Sequence, residues 1–174
     1  DFISIKNELG HKNVDLFFYD MVVFIEGDSE EKAFPIIANA LGYQFESLGI
    51  KIINIRGKDK LTKIKEFLRY IKDSDVIRFV ILDKHKDVKI YIEDLMKSNL
   101  LDKENYHIWT NGDFEDCFSE VQIIKSMQVI YGPSFDLSES ELKEKRKIKS
   151  TVRIIEEKLY EKNLGYLNKP ALGE

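Results

Sequence analysis

Apolar residues fall along the chain in two alternating kinds of pattern. Unbroken or β-branched runs stand at Met21 to Ile25, Ile50 to Ile55 and Val76 to Leu82, and a shorter one at His107 to Thr110. Between them apolar residues recur at helical spacing: Ala33, Phe34, Ile36, Ile37, Ala40 and Leu41, then Leu61, Ile64, Phe67, Leu68 and Ile71, then Ile90 to Met96. The first run, Met-Val-Val-Phe-Ile, has no polar alternation, which predicts a central strand covered on both faces. Asp28 followed by Glu31 reads as a capping-box start to the next helix, which should end near Gly42 and be bent or shortened by Pro35. Gly57-Lys58 reads as a turn before a helix from about Lys60 to Ile71. Strands alternating with helices at this spacing predict an α/β fold, a mostly parallel central sheet flanked by helices.

Beyond the fourth run a helical pattern extends from about Glu115 to Tyr131, and a polar loop holds Pro133. The charge-dense tract Glu139 to Lys149 reads as a solvated helix or connection without a specific role. Val152, Ile155 and Leu159 supply one face of a last helix. Residues 1–20 read as a lead-in to the first strand.

Chemistry in a parallel sheet gathers at the carboxyl ends of its strands. Glu26 follows the first run, Asp83 the third and Glu115 the fourth, so the expected topology brings three carboxylates to one edge. Oxygen-rich clusters suit Mg²⁺ or Mn²⁺, and two such ions can serve phosphodiester hydrolysis. Asp28 and Glu30 equally suit a helix first turn.

Composition narrows the setting. The chain has 174 residues, 43% hydrophobic, enough for one ordinary core. No apolar stretch matches a membrane span and the N-terminus lacks a signal pattern, so a cytoplasmic protein is expected. The single cysteine, Cys117, excludes an internal disulfide and reads as a buried small residue. A net charge of −4 argues against a charge-driven nucleic-acid coat, while leaving room for local basic surface or bound cations. Trp109 reads as core, and His11 and His107 have no assigned role.

The segment Phe17 to Glu30, with an apolar strand delivering Glu26-Gly27-Asp28-Ser29-Glu30, resembles the start of the Toprim domain of OLD-family (overcoming lysogenization defect) nucleases. Gly49 through Gly57-Lys58 resembles that family's second strand and Gly-Lys turn, Val80-Ile81-Leu82-Asp83 its Asp-x-Asp strand, Gly112 to Asp116 its later acidic motif, and Asn168 to Leu172 its lysine-containing segment. The resemblance spans about residues 15–174 with the motifs in order. It implies a Toprim-like fold and a divalent-metal-dependent DNA endonuclease or nickase using Mg²⁺ or Mn²⁺, two ions being expected. Glu26, Glu30, Asp83 and Glu115 become metal ligands or supports of an activated water, and Lys169 stabilises charge on the phosphate. Lys58 and Lys60 are candidates for phosphate contact.

The resemblance further implies an upstream ABC-like ATPase to which residues 1–20 connect, with 21–174 as a Toprim nuclease domain cut short at its C-terminus. Dimerisation or higher assembly, and a Gabija-like role in phage defence, come with it. The chain carries no Walker-type loop of its own. One departure stands out: Asp83-Lys84-His85 replaces Asp-x-Asp. A neutral histidine ligates Mn²⁺ better than Mg²⁺, so His85 is an altered ligand. The alternatives are a catalytically altered Toprim module acting in assembly or regulation, and a phosphoacceptor domain built on Asp83.

Overall fold

The computed structural model describes residues 16–56 and 59–167. A 3-10 turn, Leu16–Phe18, leads into β1 (Met21–Ile25), α1 (Asp28–Ala40), β2 (Ile50–Asn54), α2 (Lys60–Tyr70), β3 (Ile77–Leu82), α3 (Val88–Lys97) and β4 (Tyr106–Ile108). A second 3-10 turn, Phe114–Cys117, is followed by α4 (Glu120–Tyr131), α5 (Glu139–Lys145) and α6 (Thr151–Glu161).

The strands form one four-stranded sheet in the order β2-β1-β3-β4, all parallel, with Met21 opposite Ile50 on one side and Ile77 on the other. β1 lies inside the sheet, as its apolar run requires, and four of its five residues are buried. The chain moves from β1 to β2 in one direction, then from β2 to β3 and β4 in the other. Right-handed crossovers therefore put α1 on one face and α2 and α3 on the opposite face. The main core agrees: Val22, Phe24, Val80 and Leu82 pack with Ile64, Phe67 and Leu68 of α2 and Val88, Ile92 and Leu95 of α3. The alternate residues Val23 and Ile25 are buried outside that cluster.

Several expectations are corrected. Asp28 and Glu31 form no capping box; Gly27 is the N-cap and gives no side-chain bond. The two carboxylates turn to the end of β2, where Asn54 Nδ2 donates to Asp28 Oδ1 at 2.6 Å and Arg56 pairs with Glu31 at 2.8 Å. Pro35 neither ends nor shortens α1, which runs on to Ala40. The inward face of α1 is Ser29, Glu30, Ala33 and Ala38, while Ile36, Ile37 and Leu41 are exposed. The first turn of this face, Ser29 and Glu30, meets the carboxyl edge of the sheet, and Ala33 and Ala38 continue it with small side chains.

The helix expected from Glu115 is broken in two. Phe118 is extended, and Ser119 caps α4 through a reciprocal pair with Gln122. The charged tract is no spacer either, since Leu142 is fully buried in a second core with Ile124, Met127, Phe135, Ile155 and Leu159. Cys117 is exposed, contrary to its expected burial.

Candidate functional site

The strand order reverses between β1 and β3, and such a switch point opens a crevice at the carboxyl ends of the strands. Glu26 leaves β1 there and Asp83 leaves β3 there. Glu30 reaches the same place from the first turn of α1, and Glu115 from the Phe114–Cys117 turn. Ser29 Oγ donates to Glu115 Oε1 at 2.7 Å, joining α1 to a residue far along the chain. Trp109 Nε1, just beyond β4, donates to Glu30 Oε1 at 3.2 Å. Lys60 Nζ donates to the Glu26 carbonyl at 2.7 Å, which places this candidate phosphate contact beside the carboxylates. His85 Nε2 lies 4.0 Å from Glu26 Oε1. The expected Glu26, Glu30, Asp83, Glu115 and His85 thus share one edge, whereas Lys58 and Lys169 lie outside the described residues.

The centre is buried as well as acidic. Glu30 and Glu115 are 2% and 6% exposed. Burial raises the Asp83 carboxyl to about 7, with Glu30, Asp113, Glu26 and Glu115 adding like charge. Burial also raises Glu26, against Lys60 and His85, and raises Glu30, against the bond from Trp109. Asp83 Oδ1 is buried without a hydrogen-bond partner; Asn54 Oδ1 is the other such side-chain atom among the described residues. An unpartnered carboxylate oxygen facing like charges is relieved by a proton or by a cation.

Two further layers brace the centre. Phe114 packs edge-on against Phe34 and Phe118, and Trp109 sits 5.4 Å from Phe114, an aromatic wall behind Glu30. Below the Phe114–Cys117 turn, Asp116 Oδ1 accepts the Thr151 N–H at 2.8 Å, and Arg146 donates to the Phe118 carbonyl at 2.9 Å and to Thr151 Oγ1 at 2.8 Å. Sequence reasoning missed Ser29, Trp109 and Arg146 as supports. Ser29 lay within the quoted acidic motif and Trp109 at a strand end, so both carried a signal; Arg146, inside a charged tract, carried none.

The parallel sheet with carboxylates gathered at its switch point defines an α/β domain with a candidate metal centre. Residues 17–84 match the family model described as the TOPRIM domain of overcoming lysogenization defect protein-like proteins. The C-terminal region of the Xanthomonas campestris pv. campestris OLD protein superposes with a TM-score of 0.58 and 15% identity, over 91% of this chain and 83% of that one. The C-terminal region of the Burkholderia pseudomallei OLD protein gives 0.55 and 18%, over 90% and 87%. No curated protein matches the sequence. Residues 17–84 are thus similar to the OLD-like TOPRIM domain, and the fold of most of the chain is that of the C-terminal regions of these OLD proteins.

Proposed function

We propose that this domain is the divalent-metal-dependent DNA endonuclease or nickase module of an OLD-like protein, hydrolysing phosphodiesters in phage defence inside the cytoplasm. The observation that carries the reading is Asp83 Oδ1, buried and unpartnered among four further carboxylates at the switch point. Hard carboxylate oxygens suit Mg²⁺ or Mn²⁺, so the donor set fits in chemistry. Among the described residues, no three carboxylate, imidazole or thiol groups are already gathered around a point where an ion could sit. Glu30 and Glu115 each engage one oxygen with a protein donor, Trp109 and Ser29. Asp83 and Glu26 are accordingly the anchoring ligands, with Glu30, Glu115 and His85 completing the set.

A bound pair of such cations would supply an activated water and neutralise charge on the scissile phosphate. The protein's own part is orientation. Trp109 fixes the Glu30 carboxylate, Ser29 fixes that of Glu115, and Lys60 ties the start of α2 to the end of β1. Lys169, outside the described residues, is assigned to stabilising the phosphate. The expected partners are DNA, an upstream ABC-like ATPase domain and a second copy of the protein. No helix among the described residues is long and apolar enough to cross a membrane.

The second reading, an altered Toprim module acting in assembly or regulation, is favoured by one observation: His85 occupies the place of the second aspartate, 4.0 Å from Glu26. Nicking of supercoiled plasmid in Mg²⁺ or Mn²⁺ separates the two. The nuclease reading expects metal-dependent nicking by the parent, lost in Asp83→Ala, and a shift toward Mg²⁺ in His85→Asp. Nicking that survives Asp83→Ala overturns it. An inactive parent with an active His85→Asp variant supports the second reading.

A further inference from the structure

Several cations on this surface pair with carboxylates: Lys145 with Glu141, Lys147 with Glu144, Lys149 with Glu157 and Lys162 with Asp136. The segment from β3 into α3 gathers three that do not around one cavity. Lys84, Lys86 and Lys89 are all exposed, and among the described residues none is within ion-pair distance of a carboxylate. Lys84 Nζ donates to the Thr110 carbonyl at 3.1 Å, which holds this segment against the chain following β4. With His85, the three lysines line one side of a cavity of about 680 Å³, whose other side includes Ile108 and Trp109. That size falls in the range of about 300–1,000 Å³ found for pockets that hold compact organic ligands.

The cavity adjoins the carboxylate centre through two of its own walls. His85 lies beside Glu26, and Trp109 donates to Glu30. An occupant therefore meets lysine ammonium groups and an aromatic and aliphatic surface, with His85 and Trp109 linking it to the carboxylates beyond. Unpaired lysines repel one another and gain most from an anion with several charges. The apolar wall gains from a flat or aliphatic group. A nucleotide unit of a strand offers both. A protein of net charge −4 can hold such a strand only where its cations are locally unopposed.

We propose that this cavity binds a short stretch of the DNA strand presented to the carboxylate centre, with phosphates on Lys86 and Lys89 and a sugar and base against Trp109 and Ile108. The proposal rests on the nuclease reading for the direction in which the strand runs, but the binding itself requires neither metal nor cleavage. It adds the segment after Asp83 to the expected nucleic-acid contacts at Lys58 and Lys60.

Trp109 is the single tryptophan of the chain, so its fluorescence reports this cavity and the Glu30 contact beside it. The experiment titrates the 174-residue chain with a short single-stranded oligodeoxynucleotide in EDTA, at several salt concentrations, following Trp109 emission. A saturable change is expected. In Lys86→Ala/Lys89→Ala, with melting temperature unchanged, the slope of log affinity against log salt should fall by about 1.4, since each phosphate that a lysine neutralises on a single strand adds about 0.7. Inorganic pyrophosphate should not reproduce the change at equal phosphate concentration; if it does, the site takes free phosphates and the strand proposal fails. An unaltered slope and affinity in the double variant overturns it too. No emission change in a parent that still nicks plasmid overturns this inference and leaves the nuclease reading intact. Binding without nicking does the reverse.

Discussion

Gly27 and Glu30 occupy adjoining space so closely that a β-carbon on Gly27 would stand 1.9 Å from Glu30 Oε2. The glycine's φ of −120° is open to any residue, so the requirement here is room and not backbone freedom. Gly27→Ala should therefore fold, because the obstructing atom is the end of a side chain, but it should push the Glu30 carboxylate away from Trp109. The expected result is an altered Trp109 emission and a fall in metal-dependent nicking of about 10–100-fold, the usual cost of removing a supporting hydrogen bond at such a centre. Unchanged emission with full activity would show that Glu30 does not need this position.

Asp83 makes stability depend on pH in a definite direction. Its carboxyl rises from 3.8 to about 7 on folding, so the folded chain holds that proton more tightly than the unfolded one. This contribution is complete below about pH 4 and is lost as pH climbs through 7. The upward shifts of Glu26 and Glu30 act in the same sense, while Glu120, Asp136, Glu141 and Glu157 are lowered and act oppositely in acid. The informative quantity is thus the difference in melting temperature between the parent and Asp83→Asn without metal. The variant should gain on the parent from pH 5 to pH 8. Added Mn²⁺ should raise the parent's melting temperature more at pH 8 than at pH 5, because cation and proton compete for the same oxygens. A pH-independent difference would contradict the assignment.

Arg146 links the turn that carries Glu115 to the helical unit behind it. Its side chain is 16% exposed and donates to the Phe118 carbonyl, to Thr151 Oγ1 and to Glu120. Arg146→Ala leaves these acceptors short of a donor, at a cost of about 1–3 kcal/mol in chemical denaturation. Arg146→Lys should recover only part of this, since a point charge cannot reproduce the planar fork. If Arg146 also positions Glu115, nicking by the lysine variant should fall while the metal-free fold remains intact. A loss of stability without any change in activity would limit Arg146 to a structural role.

Much of the fold was legible because its signals are local. The run Met21 to Ile25 is the strand that its lack of polar alternation predicts, and the helix expected from Lys60 begins at that residue. The convergence of Glu26, Asp83 and Glu115 followed from strand ends plus parallel topology. The misreadings involve side chains whose partners are distant. Asp28 and Glu31 look like cap residues in sequence, but Asn54 and Arg56 lie some 25 positions away and offer stronger donors. Leu142 and Arg146 look solvated amid their charged neighbours, although the second core claims one and the Phe114–Cys117 turn the other.

Short segments of this chain were enough to specify the alternation of strands and helices, the parallel sheet and the acidic residues at its carboxyl edge, because apolar period and strand-end position are properties of a local window. Which carboxylate is left buried without a partner, which are held by Ser29 and Trp109, and where unpaired lysines meet an apolar wall were decided by the folded arrangement. Those outcomes depend on donors, burial and like charges brought together from across the chain, and no local window contains them.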